Sequence, residues 1–411
     1  LFKNPGAAQN HSCMSDDILQ QIKDANTGRE PGPLAIKYRS MAESPFRFFR
    51  GSCQLFYQEL VQQYPFPASP NVWACGDLHI ENFGSYKGGN RLVYFDLNDF
   101  DESMMTPALW EICRLTASVQ VATNEAGFSK EEKRGLLQAL MDSYRQTLQK
   151  GKAVVIENGA ARGIIRKLFT KVADRKEMDL VKKRTDRENP GKLLITERLF
   201  ALPKQEKKAI INAFDQWLSD NAHDDKKVLD AGFRIAGTGG IGVKRYILLL
   251  ARTGNTPKKL LIDMKQAMPP AAGRMVNTPQ PLWKNEADRV ISIQEMMEHV
   301  SPAFLSSFQY AGSWFVIKEL QPTADKVNLF QTIGAASCMQ HYLSDLGTLT
   351  ASAQLRASGR KGSATADELC AFAIDNNWQG ILTDWSETYA EQVKKDYAIF
   401  KNAWEGGFFN S

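Results

Sequence analysis

Apolar positions change their period repeatedly along this 411-residue chain. The first fifteen residues show no apolar period and read as a flexible end, followed by a short amphipathic helix from Asp16 to Ala25. Cys53–Tyr64, CQLFYQELVQQY, has the spacing of an amphipathic helix. Pro107–Glu125 is a stronger case, with apolar residues at 109, 112, 115, 119 and 121 and a proline where a first helical turn tolerates one. Lys130–Leu148 predicts a second long helix. From Val228 the pattern turns to β: Phe233–Ala236, Tyr246–Ala251 and Leu260–Lys265 read as strands, parted by a glycine-rich stretch and by a turn at Gly254-Asn255. Glu286–His299 returns to helical spacing, and Phe308–Leu320 predicts a hairpin. The remainder is helical over Lys326–Arg356 and Thr365–Trp404, with a loop at Gly359–Gly362 and a break near Asn376-Asn377. The expectation is an α+β protein: a helical lobe (1–227), a β-rich lobe (228–322) and final helices (323–411) that complete the first lobe.

Candidate chemistry concentrates between Val72 and Glu102, read as strand, polar loop, hairpin and acidic loop. Asn82 follows Asp77 by five positions, the spacing at which a kinase catalytic loop supplies its base and a metal-binding carboxamide. Asp96, at the end of the next strand, falls where a second metal-binding carboxylate is expected, with Asp99 and Asp101 as rivals in the same loop. The plain alternative is that these aspartates cap turns and a helix start. The wording Gly-Asp-Leu-His-x-x-Asn at Gly76–Asn82 looks like the aminoglycoside and choline kinase branch, and His79 reads as a brace within the loop. Upstream, Arg39, Arg47 and Arg50 interleave with Phe46, Phe48 and Phe49, to stack on rings, pair with acids or meet a phosphate. Trp110, Glu111 and Arg114 read as buried anchors beneath the loop.

The later β region carries Gly237, Gly239, Gly240 and Gly242 between two strands, then Lys265 on an apolar third strand. A dinucleotide-binding turn would lead from its glycines into a helix. A strand follows instead, as in the kinase loop that covers phosphates and the lysine that reaches them. Lys265 needs a partner if buried, and Glu295 is the expected one, with Glu298 close behind. Glu319, with Leu320, Gln321 and Pro322, falls where a hinge would hold an adenine. In ordinary kinases the glycines and lysine precede the catalytic aspartate; here they follow it. The expected architecture is therefore a two-lobed, protein-kinase-like fold in circularly permuted order, which close chain ends tolerate. The expected activity is ATP- and magnesium-dependent phosphoryl transfer: Asp77 as base, Asn82 with Asp96 or Asp99 at the metal, Lys265 on the phosphates. AMP transfer from the same site, or a nucleotide-binding protein without turnover, are the rival readings.

Composition narrows the partners. Charged residues make up 24% and the net charge is +5, which by itself does not point to nucleic acid. Residues 162–192 hold eleven Lys or Arg against five Asp or Glu, a solvated face or a docking surface for an acidic acceptor. Aromatic interleaving is thin there, so nucleic acid is not expected. Cysteines at 13, 53, 75, 113, 338 and 370 show no Cys-x-x-Cys pair, which predicts reduced thiols and a cytoplasmic protein. No run approaches eighteen apolar residues, so no membrane span is expected. The opening Leu in place of Met leaves room for a missing leader. The acceptor, small molecule or protein, is not readable.

Ser44-Pro45-Phe46 with Arg50-Gly51, the Gly76–His79 run with Asn82-Phe83-Gly84, Phe95–Glu102, and Trp110 with Arg114-Leu115 together resemble the bacterial family termed domain of unknown function 2252. The resemblance runs from about Arg39 to about Arg356 and more weakly into the last helices. It implies no activity. One departure is Gln354, within Thr350–Arg356, where the resemblance leads one to expect a histidine.

Overall fold

The computed structural model describes residues 17–173, 177–252, 258–321 and 336–409. The flexible start, the Gly254-Asn255 turn, the 322/323 boundary and the opening of the helix from Lys326 lie outside them. The chain is α+β with antiparallel sheets.

A helix over 17–25 leads to α1 (Pro31–Met41), α2 (Pro45–Gly51) and α3 (Cys53–Gln62). The Ser44 hydroxyl accepts from Arg47 N–H and caps α2. The strands β1 (Asn71–Ala74), β2 (Phe83–Lys87), β3 (Val93–Leu97) and β4 (Met104–Pro107) follow, with β1 pairing β4 and β2 pairing β3. Two loops, 75–82 and 98–103, therefore leave neighbouring strand ends. Beneath them runs α4 (Ala108–Glu125), buried from Ala108 through Thr123, so it is a central helix and not an amphipathic one. The capping box Ser129/Glu132 opens α5 (Lys130–Lys150). Then come α6 (Gly163–Ala173) and α7 (Glu177–Arg184), which carry much of the basic segment on exposed faces.

The main sheet begins before the expected boundary. β5 (Leu199–Ala201) and α8 (Lys204–Asp220) precede β6 (Lys226–Arg234), β7 (Arg245–Arg252) and β8 (Lys259–Gln266). A helix, α9 (Glu286–Met297), intervenes before the hairpin β9 (Ser306–Tyr310) and β10 (Ser313–Glu319). The strand order is β5-β6-β7-β8-β10-β9. One face packs Ile210, Phe214 and Leu218 of α8 against Val228, Leu248, Ile262 and Phe315. The other sets Ile247, Leu249, Leu261 and Leu320 against Val181 and Leu193. A boundary at 227 thus cuts through a unit that includes α8.

The chain closes with α10 (Ala336–Ala357), α11 (Ala366–Phe372) and α12 (Asn377–Glu405). α10 lies along α5 so closely that a Cβ on Gly347 would stand 2.1 Å from the Leu140 carbonyl oxygen. α12 packs on α4 and brings the late chain back to the early helices. Tyr38 and Phe409 rings stand 4.4 Å apart, Phe48 and Phe400 5.2 Å, and Tyr397 donates to the Ala42 carbonyl at 2.8 Å. Among the described residues no helix is long and apolar enough to cross a membrane.

Candidate active site

Between the sheet and the 75–82 and 98–103 loops lies a cleft of about 1250 Å³. The acidic hairpin meets the glycine turn and the lysine strand across it, Asp77 and Gly237 being 160 residues apart in sequence.

The floor is built by backbone constraint. Gly76 has φ +80°, and a Cβ there would fall 1.8 Å from the Glu102 carbonyl oxygen, so only glycine makes this turn. Cys75 N–H donates to Glu111 Oε1 at 2.5 Å, and Tyr57 donates to the Gly76 carbonyl. Gln354 Nε2 donates to Glu111 Oε2 at 2.9 Å and its Oε1 accepts from Tyr144 at 2.6 Å. Where the resemblance led one to expect histidine, glutamine supplies both a donor and an acceptor that steady the carboxyl under the loop.

Asp77 emerges from that turn into the cleft. Arg114, fully buried and stacked 3.7 Å above the Phe49 ring, holds Asp77 Oδ1 at 2.8–3.0 Å. Burial raises the Asp77 carboxyl above its usual range, and Arg114 opposes the rise without cancelling it. Oδ2 faces the glycines, 3.8 Å from where a Cβ on Gly239 would sit. Asn82 Nδ2 donates to the Asp77 carbonyl at 2.6 Å, bracing the loop from a buried position off the cleft wall. Arg50 donates to His79 Nε2 at 3.1 Å and pairs with Glu81, so His79 sits in a braced network at the rim. Arg47 pairs with Glu43, and Arg39 is exposed.

The aspartates divide by place. Asp96, on β3, is buried and bound to Arg356 at 2.7 Å and to Leu97 N–H at 2.9 Å, away from the cleft lining. Asp99 and Asp101, in the loop, line the cleft and take Lys265, which stands 3.7 Å from Asp99 and in direct contact with Asp101. Of the two candidates, Asp99 lines the cleft beside Lys265 and Asp96 does not. Glu295 does not meet Lys265: it lies on the exposed side of α9, whose Val290 and Gln294 line the cleft. Glu298 is buried and receives Gln294 Nε2 at 3.0 Å. The partners of the lysine come from the acidic loop, not from the helix.

Gly237 (φ +80°) and Gly242 (φ +93°) turn the β6–β7 connection over the cleft. A Cβ on Gly239 would lie 3.1 Å from the Arg50 carbonyl oxygen, and one on Gly240 3.3 Å from Lys265 Nζ. Arg29, which itself lines the cleft, pins this turn: its Nη1 donates to the Gly239 and Ile241 carbonyls at 2.8 and 2.6 Å. No periodicity or motif marks Arg29, which lies 210 residues upstream of Gly239. Glu319 pairs with Arg91 at 2.5 Å, and its own N–H and that of Leu320 already donate to Ala303 and Leu261, so the predicted hinge spends these amides on the fold.

Among the described residues no three His, Cys, Asp or Glu groups gather tightly enough to cage a metal. Magnesium does not ask for a cage; it binds through one or two carboxylates together with substrate phosphates. Asp99 and Asp101 beside Lys265 are a donor set of that kind.

Comparison with curated proteins and with solved structures gave no match. Residues 29–403 match the model of the family described as "uncharacterized protein conserved in bacteria" (DUF2252), and the chain belongs to that family.

Proposed function

We propose that this protein is an ATP- and magnesium-dependent phosphotransferase whose kinase-like parts occur in circularly permuted order. One observation carries the reading: the bare backbone at Gly239 and Gly240 lies over both Asp77 and Lys265 within a single cleft. A glycine turn between strands, a lysine on the following strand, and an Asp-x-x-x-x-Asn loop opposite are the parts that phosphoryl transfer uses for positioning and charge. The pairing of early and late helices at Tyr38–Phe409 and Phe48–Phe400 supports the permuted order, because it brings the two helical portions together.

Each residue has a task. Asp77 Oδ2 accepts the proton of the acceptor hydroxyl, while Arg114 fixes the carboxylate through Oδ1. Asn82 holds the Asp77 backbone. Lys265 and the amides of the glycine turn grip phosphate oxygens, and Asp99 and Asp101, which here hold Lys265, would hold the metal. Magnesium, when bound with nucleotide, neutralises charge on the transferred group. The acceptor is a small-molecule hydroxyl, or a protein docked on the exposed basic faces of 162–192. The described cysteines are free, which favours a reducing cytosol.

Incubation with γ- and α-labelled ATP and magnesium tests the proposal, comparing the native chain with Asp77→Ala and Asp99→Ala. Label arriving from the γ position, falling ~10²-fold or more in each variant, is the expected result. Transfer from the α position means AMP transfer instead. Nucleotide binding without transfer means a silent pocket, and no binding of nucleotide or metal removes the reading altogether.

A further inference from the structure

Beyond Lys265 the cleft roof is charged in a way the catalytic assignment does not use. Asp263, two residues before Lys265 on β8, faces the cleft and is buried. Arg245 grips it with both ends of its guanidinium, Nε at 2.8 Å to Oδ1 and Nη2 on Oδ2. Arg234 adds a contact at 3.0 Å to Oδ1. Lys318 stands opposite Asp263 in the β8–β10 register and also lines the cleft, as does Arg184 at the end of α7.

Four cations gather around one salt-bridged carboxylate, with Asp99 and Glu298 acting on Arg245 and Lys318 only from beyond ion-pair range. Arg245 alone neutralises and saturates the carboxylate in bidentate geometry. Arg234 shares Oδ1 with Arg245, while Lys318 and Arg184 are left over, and among the described residues no carboxylate forms a salt bridge with Lys318 or Arg184. The Arg234 guanidinium is brought down to about 10 by burial, with Arg245 and Arg184 adding to the fall and Asp263 resisting it. Lys318 and Arg184 are half-buried, and gathering like charges beside a largely buried guanidinium is costly unless an anion joins them. Gln321, which also lines the cleft, has its Nε2 buried with no hydrogen-bond partner among the described residues.

We propose that Arg184, Arg234, Arg245 and Lys318 form a second anion subsite in the cleft, which takes a phosphate group. Two residues of strand separate it from Lys265, about 7 Å, a gap that linked phosphates bridge. The phosphate is either the far end of a nucleotide's triphosphate laid along the roof, or a group on the acceptor. The existence of the subsite stands on the charge arrangement alone; only the source of its phosphate rests on the phosphotransferase reading.

The test uses magnesium-free pyrophosphate, titrated calorimetrically into the Lys265→Ala chain so that the first phosphate grip is removed. Binding is expected there, and Arg184→Gln with Lys318→Gln should weaken it at least tenfold. The charge-preserving pair Arg184→Lys with Lys318→Arg should retain it, which separates lost charge from lost folding. No pyrophosphate binding, or equal binding in the Gln pair, overturns the subsite whether or not ATP is a ligand. With Lys265 intact, a tenfold loss of magnesium-ATP affinity in the Gln pair assigns the phosphate to the nucleotide. Unchanged ATP affinity assigns it to the acceptor. Failure of ATP to bind at all, with pyrophosphate binding kept, overturns the phosphotransferase reading and leaves the subsite standing.

Discussion

Asp96 and Asp99 are three positions apart and answer to different physics. Asp96 is buried against Arg356, and removing one member of a buried pair strands the other in a medium that solvates it poorly. Asp96→Ala should therefore lower unfolding free energy by about 3–5 kcal/mol in a urea titration. Asp99→Ala, at a side chain that is 42% exposed, should leave that titration nearly unmoved and abolish the magnesium dependence of nucleotide binding. The reverse pattern would return the metal to Asp96. Glu111 offers a prediction in pH. Burial raises its carboxyl to about 7, with Gln354 and Cys75 N–H opposing the rise. The folded chain keeps a proton that the unfolded chain releases above the ordinary 4.5, so stability falls as pH climbs from about 4.5 to about 7 and then levels off. The size is about 3 kcal/mol. Glu111→Gln should flatten that part of a Tm-against-pH curve.

The β6–β7 turn is held from two directions within the cleft. Its carbonyls accept from Arg29, and its glycines face Lys265 and the Asp77 loop. A side chain on the inner face has nowhere to go without lifting the turn. Gly240→Ala, with its Cβ 3.3 Å from Lys265 Nζ, should raise the Kd for magnesium-ATP roughly tenfold if the turn grips phosphate as proposed, since a small shift of such a backbone costs orientation. Its denaturation midpoint should hold, because Gly240 has no positive φ to lose. α9 makes a related point. Val290 and Gln294 turn toward the cleft while Glu295, one residue on, is rotated out of it. A helix one residue out of the expected phase transfers the pairing of the lysine to the acidic loop.

The helical core is continuous from α1 to α12, taking in Leu109, Ile112 and Leu137 with Trp378, Leu382 and Phe400. α12 is therefore not an appendage. Ending the chain at residue 376 would uncover the α4 face, and the product should be insoluble or bind hydrophobic dyes, measurable against the full chain. The cleft couples both sides of the molecule through Lys265 with Asp99 and Asp101 and through Arg29 with the glycine turn. Ligand held between them should stabilise the whole by mass action, about 2.7 kcal/mol at a hundredfold excess over Kd. Thermal unfolding with and without magnesium-ATP reads this, and Lys265→Ala should remove most of the gain.

Elements and their order were legible in the sequence because apolar period is a local property. The helices at 107–125 and 286–299, the strands around 246–251 and 260–265, and the glycine turn between strands all read from neighbours within a few positions. The Asp77–Asn82 spacing was legible too, but not its use: the sequence reading set Asn82 at the metal, and its carboxamide braces the Asp77 carbonyl off the cleft wall. Tertiary structure alone decided which side of each element meets the cleft. It put Asp96 inward on its strand and Asp99 outward on a loop, gave Lys265 to the aspartates in place of Glu295, and drew Arg29 across to the glycines. It also set Arg234, Arg245 and Lys318 around Asp263. The reason is that charge partners are chosen by proximity in space, and strand register and helix phase settle that proximity between segments the sequence keeps far apart.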